Sequence, residues 1–330
     1  MKALNFFAKC ILAALPVVAL CAFTILCPMC FMDREYPGWR HALKTSEGRL
    51  YDGKSFDTVI LGDSGAKSSL VPEYIDGSCV NLALGGATPI EMYYVLSRYL
   101  EAHDAPKTAV VMFAPFHYWH IDNYETRTVY FRAIPAGDLF ELYKNAYECR
   151  ADSVVRNDFV ADELEARLGL PSKYLPAIYA ARFTGRYSEN VKSFEETVDS
   201  YGYFGFGSGK ECYDPSYETS YDDMVINGDA KLLTLYMQKL LNLCKDNGIH
   251  VILLQSAVNT ATYENINEHY LASYRNHIKQ LNMAFPDIEC ESELRVYGGQ
   301  FFSDTSHLNA TGAKKFTEEI NERYFRQNEP

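Results

Sequence analysis

A chain of 330 residues with 48% hydrophobic content can hold one large domain, or one domain with a sizeable insertion, and is too apolar to be disordered. Its net charge of −12 sets the surface against nucleic-acid phosphates and anionic headgroups, which excludes nucleic acid as a partner. There is no low-complexity tract and no repeat of solenoid period.

The first feature along the chain is an uncharged apolar run of 23 residues, Cys10 to Met32. That is about the length a helix needs to cross a bilayer core of roughly 30 Å. Lys2 and Lys9 precede it, and Asp33, Arg34 and Glu35 follow. The positive-inside tendency then predicts a single-pass signal anchor in the cell membrane, spanning residues 1–33 with its cytoplasmic tip, and an extracytoplasmic remainder. A cleaved signal peptide is the alternative. The run is long for one, and Pro28-Met29-Cys30 makes a poor cleavage site.

Residues 34–55, broken by Pro37, Gly38, Gly48 and Gly53, read as a juxtamembrane stalk. From 56 to 330 the pattern is that of one domain with an insertion at 118–226. Short apolar runs predict strands at Asp57–Leu61, Cys79–Leu84, Thr108–Phe113 and Ile249–Leu254, with a last one inside Ile288–Tyr297. Helical spacing predicts helices at Pro89–His103 (capped by Thr88), Asp229–Asp246, Tyr263–Met283 and Ala310–Tyr324, the last capped by Asn309 or Thr311. Another helix is expected from Ser68 onward, with Ser68 and Ser69 as caps. Alternating strands and helices imply an α/β fold, a mostly parallel sheet with helices on both faces. In such sheets the working residues gather at the carboxyl ends of the strands.

The insertion holds 13 of the 25 tyrosines and the run Tyr201-Gly202-Tyr203-Phe204-Gly205-Phe206-Gly207-Ser208-Gly209. It predicts helices near 136–149 and 158–168, and either a substrate groove of aromatic faces or tyrosines packing a subdomain. Of nine cysteines, four (Cys10, Cys21, Cys27, Cys30) sit in the apolar run. Leu20 before Cys21 spoils a lipoprotein box. The other five lack a C-x-x-C pair, so no metal is expected on them, and Cys149–Cys212 is the favoured disulfide.

Two short segments carry chemistry. Gly62-Asp63-Ser64 follows the first strand and offers a hydroxyl on a sharp turn, while Asp304-Thr305-Ser306-His307 precedes the last helix and offers an imidazole with a carboxylate three residues upstream. Together they supply the parts of a covalent serine-ester mechanism: Ser64 as nucleophile, His307 as base and Asp304 as its orienter. Asp63 reads as structural. His117-x-x-His120, with Asp122, has a spacing too common to predict a metal, and no cofactor is implied.

These residues resemble the SGNH, or GDSL-like, hydrolase superfamily over residues 56–117 and 228–326. The resemblance implies a flavodoxin-like three-layer fold, the catalytic set Ser64, His307 and Asp304, and an oxyanion amide at Gly85 or Gly86. The superfamily's Gly-x-Asn-Asp block is missing. Phe113-Ala114-Pro115-Phe116-His117-Tyr118 stands in its place, which leaves His117 or a backbone amide as the further donor. With an N-terminal membrane helix, this resembles membrane-anchored extracytoplasmic members, among them the D-alanine transfer protein of teichoic-acid modification and alginate O-acetyltransferases. That implies an acyl esterase or O-acyltransferase on an envelope polysaccharide, with a polytopic membrane acyltransferase as partner. The alternatives are a non-catalytic scaffold or glycan-binding module, and a lipase.

Overall fold

The computed structural model describes residues 2–170 and 184–326. The chain opens with one long helix, α1 (Lys2–Leu26), of which Ala8–Leu26 is apolar enough to cross a membrane and almost wholly exposed. At 1.5 Å per residue those 19 residues reach roughly 28 Å. The apolar run of the sequence extends past the end of this helix. Pro28–Cys30 forms a tight turn, and Met29, Cys30, Phe31 and Met32 are buried in the domain core.

Nor do residues 34–55 form a stalk. They carry α2 (Tyr36–Ser46), whose Trp39 and Ala42 are fully buried in the main cluster. Prolines and glycines suggested interruption here, but Pro37 sits in the first helical turn, where its missing N–H costs nothing. α1 therefore joins the domain through packed structure.

Next come β1 (Thr58–Gly62), α3 (Ser64–Ser69), β2 (Cys79–Asn81), α4 (Pro89–Ala102) and β3 (Thr108–Phe113). Thr88 and Glu91 close a capping box on α4. The insertion carries α5 (Leu139–Cys149), α6 (Phe159–Leu168) and α7 (Thr184–Asp199). Part of the expected insertion, residues 171–183, lies outside the described residues.

The alternation resumes with α8 (Gly228–Asp246), β4 (His250–Gln255), β5 (Ala257–Asn259), α9 (Thr260–Asn265) and α10 (Glu268–Ala284). The predicted helix at Tyr263–Met283 is thus two, because Asn267 caps a fresh start. The chain then runs through β6 (Glu289–Cys290), β7 (Arg295–Tyr297) and α11 (Ala310–Tyr324), which Asn309 caps through Gly312 N.

Strands run in the order β2-β1-β3-β4-β6, all pairings parallel, and β5 pairs with β7 in a small second sheet. Alternate residues feed two cores. Val59, Leu61, Val111 and Leu253 pack against α2, α4, α8 and α10, while Ile60, Val110, Met112 and Ile252 pack against α3 and α11. The fold is therefore α/β, a parallel sheet with helices on both faces. A third cluster, from α5, α6 and the turn at Tyr124–Val129, rides on the outer side of α4 and α8.

The second core brings the chain's two distant ends together. Thr317 Oγ1 of α11 donates to Ser69 O at 2.9 Å and accepts from Val71 N at 3.0 Å, locking α11 against the end of α3. Phe316 and Ile320 fill the gap between them. Cys149 and Cys212, the expected disulfide pair, are both free thiols: Cys149 ends α5 on the outer cluster, and Cys212 bonds through its backbone to Gly299 by β7.

Candidate active site

β1 ends at Gly62, and the next residue but one is Ser64, the first residue of α3. Gly62 packs so tightly on the neighbouring strand that any side chain would strike the Met112 carbonyl. Asp63 is the cap that turns strand into helix. Its Oδ1 accepts from Gly65 N at 2.8 Å and Ala66 N at 3.4 Å. The helix begins four residues earlier than expected, so Ser68 and Ser69 lie inside it and are buried rather than capping it.

Oδ2 of Asp63 faces the other way, accepting from Ala114 N at 2.7 Å and from His117 Nδ1 at 2.7 Å. Burial would raise the Asp63 carboxyl, but the His117 bond and charge, with the two backbone amides, hold it below the usual range. His117 is its counterpart. Burial works against its charge, yet Asp122 (3.4 Å from Nε2) and Asp63 keep it protonated, raised to about 10. Sequence reading thus assigned Asp63 a structural role and missed that it creates a buried cation beside the serine.

Asp304 and His307 sit on the loop before α11. Asp304 Oδ1 accepts from Ser306 N and His307 N, both at 2.8 Å, which folds the loop back on itself. His307 Nδ1 then meets Asp304 Oδ2 at 2.9 Å, and His307 Nε2 meets Ser64 Oγ at 2.8 Å. Burial alone would raise Asp304, but bonds from His307 and the amides lower it, so it is a carboxylate and can only accept. Nδ1 must therefore donate, which leaves Nε2 of a neutral ring as the acceptor of the Ser64 proton. The ring of Phe206, from the glycine-rich run, lies 4.7 Å from that of His307 at 33°.

Among the described residues, no acceptor takes the N–H of Ser64, Gly85 or Gly86. Gly86 has φ +70, and a side chain there would collide with Arg127, so glycine is required. Ser64, Gly85, Gly86, His117 and His307 line one open cavity of about 350 Å³ with Glu35, Arg127, Phe206, Tyr217 and Tyr221. On the other side of Ser64 and His307 is a pocket of about 30 Å³ against Ser256, Val258 and Glu218.

Several of these residues were invisible in the sequence. Glu35 comes from just beyond α1. Its carboxyl is raised by burial, opposed by Arg127, which itself donates to Gly85 O at 2.9 Å. Lys67 is completely buried beneath the site, with Nζ donating to Ala83 O and Gly202 O at 3.0 Å each. Burial lowers its ammonium to about 7. His120 packs on Phe116, and among the described residues no three His, Cys, Asp or Glu side chains are grouped to hold a metal. The insertion's tyrosines divide: Tyr217 and Tyr221 face the cavity, whereas Tyr118 and Tyr124 are core.

The fold and site define an α/β protein with a hydrogen-bonded serine, histidine and aspartate at the carboxyl ends of its strands. Comparison with protein-family models and with curated proteins returns no match. Function is therefore argued from the chemistry of the site.

Proposed function

We propose that this chain is a membrane-anchored, extracytoplasmic acyl esterase or O-acyltransferase of SGNH type, acting on a cell-envelope polysaccharide through an acyl-Ser64 intermediate. The observation that carries this reading is the continuous chain Ser64 Oγ, His307 Nε2, His307 Nδ1, Asp304 Oδ2, at 2.8 and 2.9 Å. A metal-free covalent route needs these groups within hydrogen-bond reach and little else.

Each step has a residue. Ser64 Oγ attacks the ester carbonyl while its proton passes to His307 Nε2, and Asp304 supports the resulting imidazolium. The carbonyl oxygen becomes an oxyanion within reach of the unpaired amides of Ser64, Gly85 and Gly86, and His117 supplies a fixed positive charge on that side. The tetrahedral adduct collapses, breaking the bond to the leaving alcohol, which takes the proton from His307. Water or a sugar hydroxyl then gives a proton to His307 and attacks the acyl-serine, releasing acid or a new ester. The open cavity with Phe206, Tyr217 and Tyr221 is suited to a sugar ring.

A non-catalytic scaffold is favoured by the missing Gly-x-Asn-Asp block and by the Glu35 carboxyl lying against Gly85. A negative charge there would oppose an oxyanion. Two observations weigh against it: Ser64 and His307 are in contact rather than apart, and burial favours the neutral acid at Glu35.

The test is hydrolysis of an acetylated chromogenic ester, with and without a glycan acceptor. The proposal expects turnover that Ser64→Ala abolishes, with product partitioning to the glycan if transfer is the reaction. Full activity in Ser64→Ala would remove the serine-ester mechanism.

A further inference from the structure

Helix α6 is built inside out for a helix in water. Val160, Leu164 and Leu168 are each 56% exposed and, with exposed Ala161, share one face. The acids point inward: Asp162 and Glu163 are 6% and 7% exposed. Arg156 Nη2 donates to Asp162 Oδ2 at 3.2 Å, Arg167 Nε donates to Glu163 Oε2 at 2.8 Å, and the Tyr143 hydroxyl donates to Glu163 Oε1 at 2.9 Å. Scattered apolar residues on a surface need no explanation, but a helix facing water puts its charges out and its aliphatics in. Here that order is reversed for Val160, Leu164 and Leu168 against Asp162 and Glu163, with only the small Ala166 buried among the inward residues.

The end of α6 is pinned to the anchor. Thr24 Oγ1 of α1 donates to Gly169 O at 2.6 Å, and Gly169 is the left-handed cap of α6, with φ 66. Any side chain at Gly169 would collide with Thr24 and the Cys21 carbonyl, so the two helices touch through backbone. Thr24 is two residues short of Leu26, where the apolar stretch ends, which is about 3 Å along the axis. If α1 crosses a bilayer, the cap of α6 stands at the edge of the hydrocarbon region.

We infer that the outward face of α6 is a lipid contact: the helix lies in the bilayer surface beside α1, with Val160, Leu164 and Leu168 at the acyl-chain boundary. The occupant is the membrane itself. Asp162 and Glu163 are paired with Arg156 and Arg167 within the protein, so the outward face is apolar and its contact needs no anionic lipid, which suits a chain of net charge −12. Two attachments, α1 and α6, then fix the tilt of the domain, and the cavity that Glu35 lines is held at a constant height above the lipid.

The full chain, reconstituted in zwitterionic phosphatidylcholine bilayers, tests this with tryptophan as the probe. The native Trp39 and Trp119 are 0% and 5% exposed and give the background. Leu164→Trp is compared with Val17→Trp in α1 and with Lys192→Trp on α7, whose side chain is 76% exposed. Phosphatidylcholine brominated on its acyl chains is the quencher. Expected is a loss of Leu164→Trp emission approaching that of Val17→Trp, with none for Lys192→Trp. Quenching of Leu164→Trp no greater than that of Lys192→Trp would overturn the inference. So would blue-shifted but unquenched emission, which means that protein covers the face, or an unquenched Val17→Trp, which means that α1 is not in the bilayer.

Discussion

Two histidine–aspartate pairs flank Ser64, and the same residue types do different work in each. His307 and Asp304 are partly exposed, 19% and 35% by side chain, and His307 opens onto the cavity. His117 and Asp63 are 5% and 0% exposed, and a second carboxylate, Asp122, closes the far side of the ring. An imidazole with one carboxylate and one hydroxyl can take a proton and return it. One held between two carboxylates keeps its proton and serves as a fixed charge. The number of partners and the burial of each pair assign its role.

The sharpest way to break that division is to change one member of each pair in turn. Asp304→Asn leaves His307 in place but reverses the proton on its ring, and kcat should fall by roughly 10⁴-fold in a steady-state ester assay. A fall of less than tenfold would mean that His307 is not oriented by Asp304. His117→Gln keeps a polar side chain but loses the charge, and kcat should fall by about 10²–10³ with KM little changed.

The same variant has a pH signature. His117 is raised above its unfolded value of 6.5, so its contribution to stability is complete below that pH and is lost as pH rises through about 10. Urea denaturation should therefore show wild type ahead of His117→Gln at pH 6, with the gap closing near pH 10. A gap that widens with pH would contradict a cationic His117.

Lys67 and Glu35 sharpen the picture at smaller scale. Lys67→Met leaves the carbonyls of Ala83 and Gly202 without a donor, at a cost of roughly 1–3 kcal/mol each, visible in the denaturation midpoint. Activity should follow stability rather than collapse, since Lys67 lies beneath the cavity wall. Glu35→Gln should matter least. As pH rises and Glu35 ionises, the wild type loses stabilisation of the oxyanion that the amide retains, a difference of roughly threefold to tenfold in kcat.

Much of the frame was legible in the sequence because it rests on local signals. β3 and α11 fall where the apolar run at Thr108–Phe113 and the spacing after Asn309 put them, and Ser64 meets His307 as the two motifs implied. The end of the apolar run was misread because hydropathy does not distinguish lipid from core: Met29 to Met32 are apolar and buried in protein. Glu35, Lys67 and Arg127 were unreadable for a different reason. Glu35 and Arg127 reach the site from other segments, brought there by the packing of α2 and the insertion against the sheet, and Lys67, on α3 with Ser64, looks like an ordinary surface lysine until α3 is packed against Ala83 and Gly202.

The most direct measurement of the central claim is covalent trapping. The full chain is treated with a fluorophosphonate at neutral pH and the modified residue is located by mass spectrometry. The account predicts one adduct, on Ser64, formed far more slowly in His307→Ala. An adduct elsewhere, or one on Ser64 that forms as fast without His307, would contradict it.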